Sequence, residues 1–138
     1  MAATFVDEGI DLEAQILVNK EVDTDLYVIC IEDNTAFAQT DTYATHTPTT
    51  LTGGAEVDLV GANWTGGVAS GIATYAYPAI TWTFAPYAGG TTLYGYIVYR
   101  KTPGNILIYG EQFATPYAVP SGGGILILSL VYQHEQCP

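Results

Sequence analysis

Carboxylates are the most numerous side chains here that could perform catalysis. Glu56 and Asp58 stand two residues apart in a partly alternating stretch, and Glu111 ends an apolar run. Two carboxylates that face each other across a cleft are the arrangement that glycosidases use. A glycosidase is therefore one hypothesis, and a solvated acidic surface is the alternative for a small acidic protein.

Other groups could bind metals or act as nucleophiles. His134, Glu135 and Cys137 are nearly adjacent, but this terminal group lacks a fourth ligand for zinc. Asp23 and Asp25 offer oxygen ligands for Ca²⁺, without the glycine and later glutamate of an EF-hand loop. The serines lack a nucleophile elbow, and the PSGGG stretch lacks a phosphate-binding lysine. The sequence thus predicts no catalytic, cofactor-binding or metal-binding residue.

The elements that would position these groups are predicted to be β-strands. LYVICIED at 26–33 is apolar on both faces, which predicts a strand covered on both sides. ITWTFAP at 80–86 alternates, so Ile80, Trp82 and Phe84 are expected in the core. Pro103-Gly104 fits the centre of a type II turn between two Tyr- and Ile-rich runs.

The remaining stretches are less regular. Apolar spacing between residues 6 and 19 predicts one short amphipathic helix. The Thr-rich stretch 34–52, which contains His46, is expected to be an extended edge or an ordered loop. ILILSLVY at 125–132 is expected to be a final strand in the middle of a sheet. The Asn63–Thr65 triplet has the form of a glycan acceptor, to which we assign no role because no signal peptide is evident.

Composition favours one all-β domain over residues 1–138, built as a β-sandwich or jelly roll. The chain of 138 residues is 49% hydrophobic and only 12% charged. Abundant Thr, Gly and aromatic residues with few Lys are typical of strands and turns. A chain of this length supports a single packed core.

The charge balance excludes some partners. A net charge of −11 works against contact with a nucleic-acid backbone or an anionic membrane surface. The longest apolar run is too short to span a bilayer. Of the two cysteines, Cys30 is expected to be a buried thiol and Cys137 a terminal one, with a disulfide between them as the alternative.

The hairpin at residues 93–113 is apolar on both faces. Alternation places Tyr94, Tyr96, Val98 and Arg100 on one face, and Leu93, Ile97 and Tyr99 on the other. If one face covers the core, the other must be covered by a second sheet or by another subunit.

The order of these pieces resembles a known group of proteins. Nearly the whole chain is covered by seven pieces in this order: an FVDEGI helix entry, LYVICIED, LVGANW, ITWTFAP, LYGYIVYR, NILIYGEQF and a PYAVPSG turn. Together they resemble the small decoration or auxiliary structural proteins of tailed bacteriophage virions. Gly61–Trp64, Thr83-Phe84 and Tyr94–Tyr96 carry most of the resemblance.

The resemblance implies a non-enzymatic virion component made in the bacterial cytoplasm. Its expected partners are the major capsid protein or other virion subunits, and a homo-oligomer is expected, with a trimer favoured. The first ten residues are a candidate arm, and Tyr94, Tyr96 and Tyr99 are candidates for a trimer axis. The alternative hypothesis is a carbohydrate- or receptor-binding module of a phage tail or fibre.

Overall fold

The computed structural model describes residues 4–5, 25–69, 72–86, 90–102 and 104–135. Over these residues the fold is all-β, as predicted. The ten strands are β1 (Thr4–Phe5), β2 (Leu26–Ile31), β3 (Val57–Asp58), β4 (Thr65–Ala69), β5 (Ile72–Ala76), β6 (Ile80–Phe84), β7 (Thr91–Arg100), β8 (Ile106–Val119), β9 (Gly124–Leu128) and β10 (Val131–Glu135). Two short 3₁₀ turns span Tyr43–Thr45 and Gly61–Asn63. The predicted helix at 6–19 lies outside the described residues.

The described strands form three antiparallel sheets. The largest has five strands in the order β1-β8-β7-β2-β3. A second has the order β10-β5-β4, and β6 pairs with β9 in a third. Strand β2 lies in the large sheet between β7 and β3, so its neighbours come from distant parts of the chain.

The first core lies between one face of the five-stranded sheet and the β6–β9 pair, which gives a sandwich-like arrangement. Alternate residues of β6 point inward, so the prediction of Ile80, Trp82 and Phe84 as core residues is confirmed. They pack with side chains from the central strands and from the C-terminal stretch. Members of this core include Val28, Cys30, Tyr96, Val98, Tyr109, Leu128 and Leu130.

A second core lies on the opposite face of the five-stranded sheet. Its buried members are Ile29, Ile31, Ile97, Tyr99 and Leu107. The cover is the loop of residues 32–56, which joins β2 to β3 and is called the covering loop below. Phe37 and Tyr43 of this loop pack on the second core.

The covering loop corrects the prediction that another subunit or a second sheet must hide this face. The face is dry because the Thr-rich stretch of the same chain lies over it. Tyr96 and Tyr99 are 3% and 1% exposed within these two cores. Tyr96 and Tyr99 are therefore not available to line a trimer axis, whereas Tyr94, the third residue of that expectation, is half-buried.

Bulges change which face a side chain occupies. The β7–β8 register shifts between Leu93 and Gly95, and such a shift moves the following side chains to the other face. Leu93 therefore belongs to the first core, and the prediction that it shares a face with Ile97 was wrong. Beyond the strand ends, Gly104 has a φ of +80° and Asn105 one of +45°, which suits a tight turn.

The C-terminal apolar run is two strands. Residues 125–128 pair with β6, and residues 131–135 pair with β5 in another sheet. Leu130 lies between them, is 1% exposed, and accepts a hydrogen bond from the backbone N–H of Tyr77 at 3.0 Å. The prediction of a single strand in the middle of a sheet was therefore wrong.

Candidate functional site: an exposed apolar face

Three large apolar side chains project outward from the C-terminal strands. Ile125 is 59% exposed, Ile127 is 63% exposed and Val131 is 55% exposed. Between them, Leu128 and Leu130 point into the first core. The alternation of a strand therefore continues across the change of sheet, and it leaves β-branched residues in water.

Strand β6 extends this face with hydroxyl groups. Thr83 pairs with Ile125, and Thr81 pairs with Ile127. Directly opposed residues of an antiparallel pair share one face of a sheet, and both threonines are exposed. We call Thr81, Thr83, Ile125 and Ile127 the outer apolar face, and Val131 is a further exposed apolar residue at the start of β10.

The outer apolar face carries no charged residue, although the chain is strongly acidic. All but two of the 14 Asp and Glu residues precede residue 59, and the exceptions are Glu111 and Glu135. Strands β6 and β9 contain no ionisable side chain. A partner can therefore approach this face without meeting an acidic side chain of β6 or β9.

His46 is a structural residue of the covering loop. Its Nδ1 lies 2.9 Å from Oδ2 of Asp33, and its Nε2 lies 3.0 Å from Oδ2 of Asp41. The ring stacks on Phe37 with 4.3 Å between centroids. Burial works to raise the pKa of Asp33, but hydrogen bonds from Thr47 and His46 and the charge of His46 outweigh it, so that pKa lies below its ordinary value.

Glu56 belongs to a second polar cluster at the other end of the covering loop. The Tyr99 hydroxyl donates to Oε2 of Glu56, and the Lys101 ammonium donates to Oε1. Lys101 also lies over the ring of Tyr27, 4.9 Å from its centroid. Burial works to raise the pKa of Glu56, but these hydrogen bonds and the lysine charge outweigh it and lower that pKa.

The structure does not bring the predicted carboxylate pair together. Glu111 is opposite Tyr96 on the face of the first core, whereas Glu56 binds Tyr99 on the face of the second core. The two acids therefore lie on opposite faces of one sheet. Burial raises the pKa of Glu111, and Asp58 is exposed.

The predicted calcium ligands have another role where they are described. The carboxylate of Asp25 accepts a hydrogen bond from the Thr102 N–H at 2.6 Å, and its carbonyl accepts one from the Lys101 N–H at 3.1 Å. Asp25 thus holds the end of β7, and Asp23 lies outside the described residues. Within those residues, no group of three His, Cys, Asp or Glu side chains is placed to hold a metal ion.

The other residues considered in the sequence analysis are near the C-terminus or have structural contacts. His134 and Glu135 are in β10, their side chains are not described, and Cys137 lies outside the described residues. Cys30 is a free, buried thiol whose pKa is raised by burial to about 12. Asn63 is exposed, and its amide donates to the Tyr77 hydroxyl at 3.4 Å.

Sequence reasoning missed the outer apolar face. The signal was present, because Ile125 and Ile127 alternate with Leu126 and Leu128. The run was interpreted as one final strand in the middle of a sheet. Periodicity does not distinguish that strand from one whose second face is left in solvent.

Comparisons with protein-family models, with curated proteins and with solved structures found no match. In the part of the chain that the structure describes, no helix has the length and apolar character needed to cross a membrane.

Proposed function

We propose that the protein is a non-enzymatic structural subunit of a tailed-phage virion that binds the capsid shell as a decoration protein. The observation that carries the proposal is the outer apolar face. Ile125 and Ile127 are each more than half exposed, and β6 and β9 contain no ionisable side chain. Exposed apolar surface of this kind is typical of a protein–protein contact.

Burial of this face on a shell would supply the binding energy. Each square ångström of apolar surface removed from water contributes about 25 cal/mol. One copy contributes modestly, but many copies bound across a lattice act together, so that opening the shell requires many contacts to break. The described polar clusters support the same interpretation, because His46, Glu56 and Lys101 bind other parts of the fold.

The carbohydrate-binding alternative has less support. A sugar-binding module uses an exposed shelf of aromatic rings. Among the aromatic side chains that the structure describes, only Tyr75 is exposed, at 36%. Trp64 and Tyr77 pack edge to face with 5.1 Å between centroids, and Tyr77 accepts a hydrogen bond from the Val60 N–H at 3.1 Å.

The test uses purified shells that lack this protein. Wild-type protein is expected to co-sediment with the shells and to raise the temperature at which they release DNA. The double variant Ile125→Gln, Ile127→Gln is expected to fold normally and to lose binding, since both changes are at exposed positions. Val60→Gln is the matched control, because Val60 is an exposed apolar residue outside β6 and β9.

Two outcomes would refute the proposal. One is equal shell stability with and without the wild-type protein. The other is binding to a glycan array without any binding to shells, which would favour the carbohydrate-binding alternative.

A further inference from the structure

The covering loop is fixed by a buried histidine between two acids. The His46 side chain is 0% exposed, and those of Asp33 and Asp41 are 15% and 9% exposed. Asp33 follows the end of β2, whereas Asp41 and His46 belong to the middle of the loop. The three side chains therefore tie the middle of the loop to its first residues, next to the end of β2.

The number of protons on the ring follows from the geometry. An ionised carboxylate only accepts hydrogen bonds, and each ring nitrogen of His46 faces a carboxylate oxygen. Both nitrogens must then donate, which requires the doubly protonated imidazolium. The Oδ2 atom of Asp41 also accepts a hydrogen bond from the Ala38 N–H at 2.9 Å, so that atom already serves as an acceptor.

Loss of one proton would leave an unfavourable contact. A neutral imidazole has one donor and one acceptor nitrogen, so a lone pair would face a carboxylate oxygen at 2.9 or 3.0 Å. In a buried site, neither group is compensated by water. The contact would then favour movement of the loop away from the sheet.

Among the residues that the structure describes, few other charged groups are placed to compensate the contact. The ring face of His46 stacks on Phe37, and Phe37 lies over Gly110 of β8. Glu32 is directed to Thr49 and Thr50, at 2.8 and 3.4 Å. The Glu56–Lys101 pair binds Tyr99 at the other end of the second core, and the sheet beneath the loop presents Ile29, Ile31, Ile97 and Leu107.

We propose that Asp33, His46 and Asp41 form a proton-controlled clamp, which holds the covering loop over the second core while the imidazole carries both protons. Release of the clamp exposes an apolar face of the central strands that is otherwise dry. The inference rests on the contacts of these three residues and does not depend on the proposed function.

The clamp is also weakened at low pH. The pKa of Asp33 is lowered in the fold, so its contribution is present above the pKa of the unfolded chain and is lost as pH falls through the lowered value. The clamp therefore weakens as pH falls through the lowered pKa of Asp33.

Hydrogen exchange of the whole protein tests the clamp. Amides of the covering loop are followed from about pH 5 to about pH 9, with correction for intrinsic exchange rates. After this correction, the backbone amides of the wild-type loop are expected to exchange at least tenfold faster at the alkaline end of the range. The exchange rates of amides in β7 and β8 should change little. Ring ¹⁵N spectra of His46, recorded in a His134→Gln background, should show two protonated nitrogens where the loop is closed.

Two variants separate a clamp from a purely structural contact. In Asp33→Asn, the side-chain amide can donate to Nδ1 of a neutral ring while its oxygen keeps the Thr47 N–H, so the loop should stay closed at alkaline pH. In His46→Gln, the amide nitrogen can take the place of only one ring nitrogen and the amide oxygen cannot donate to the other acid, so its loop should open across the whole range. Equal loop exchange at both ends of the range in wild type would overturn the proposal, as would alkaline opening of Asp33→Asn that matches wild type.

Discussion

Gly110 allows the covering loop to approach the sheet closely. A Cβ at this position would lie 2.2 Å from Cε1 of Phe37 and 2.9 Å from the carbonyl oxygen of Tyr96. Both distances are too short for carbon and oxygen atoms to tolerate. A residue without a side chain therefore lets an aromatic ring of the loop contact the β8 backbone.

We expect Gly110→Ala to destabilise the protein by about 1–3 kcal/mol, because an added methyl group overpacks this contact. The measurement is the midpoint of urea unfolding. Gly122→Ala is the control, since a Cβ at Gly122 meets nothing within 4 Å. An equal midpoint for the two variants would contradict the close approach of Phe37.

Two glutamates should respond oppositely to neutralisation. Burial raises the pKa of Glu111, so its ionised form is disfavoured in the fold, and its contribution is lost as pH rises through the folded value. Glu111→Gln should therefore raise Tm at about pH 7 more than at about pH 4. Glu56→Gln should lower Tm at about pH 7, because the pKa of Glu56 is depressed in the fold.

Thermal unfolding of both variants at the two pH values checks these signs. For each variant, the change in Tm relative to wild type at the higher pH is compared with the same change at the lower pH. A Glu111→Gln effect that is identical at the two pH values would contradict the burial of this carboxyl group.

At the level of elements, the C-terminal stretch places a buried apolar residue close to an exposed one. Leu130 is 1% exposed between β9 and β10, and Ile127 is 63% exposed on β9. We expect Leu130→Ala to cost about 2–5 kcal/mol, as for other buried leucines. Ile127→Ala should cost within about 0.5 kcal/mol, because exposed positions are tolerant.

Chemical unfolding of the two variants measures this difference. Similar losses for both would indicate that the outer apolar face is covered within the monomer. That result would also remove the observation on which the proposed function depends.

Alternation was sufficient to predict some elements and insufficient for others. Strand β6 was predicted correctly because its apolar and polar residues alternate without interruption. The division at Leu130 was not predicted, since the same alternation continues through the change of sheet. The covering loop was not predicted as a cover, because Phe37 and Tyr43 follow no period that marks them as core residues.

The candidate site shows the same division between local and tertiary information. The partner of Lys101 was not predicted, because Glu56 is 45 residues away in the chain. The partners of His46 could not be predicted, because Asp33 and Asp41 are 13 and 5 residues away in the chain. Only the path of the loop brings them together.

At the level of the whole molecule, the outer apolar face is the surface that we expect to mediate association, because Ile125 and Ile127 are each more than half exposed. The hairpin faces are both covered within one chain, so a homotrimer would have to form through another surface. If the outer apolar face mediates self-association, the mass in solution should be at least twice the chain mass of 14.7 kDa. Light scattering should then give the monomer mass for Ile125→Gln, Ile127→Gln.

If the wild-type protein stays monomeric at all accessible concentrations, the partner of the outer apolar face is not a second copy of this chain. A multimer that persists in the double variant would place the contact elsewhere on the surface. The two masses therefore show whether the outer apolar face, another surface or no surface mediates self-association.

The pairing of β2 with β7 has a consequence for biosynthesis. Ile31 is paired with Gly95, so the ribosome must add more than sixty residues before the central ladder can start to close. At about 5–20 residues per second, this delay lasts roughly 3–13 s. Throughout that interval the nascent chain displays LYVICI without its partner strand, and a chaperone that recognises extended apolar segments has time to bind it.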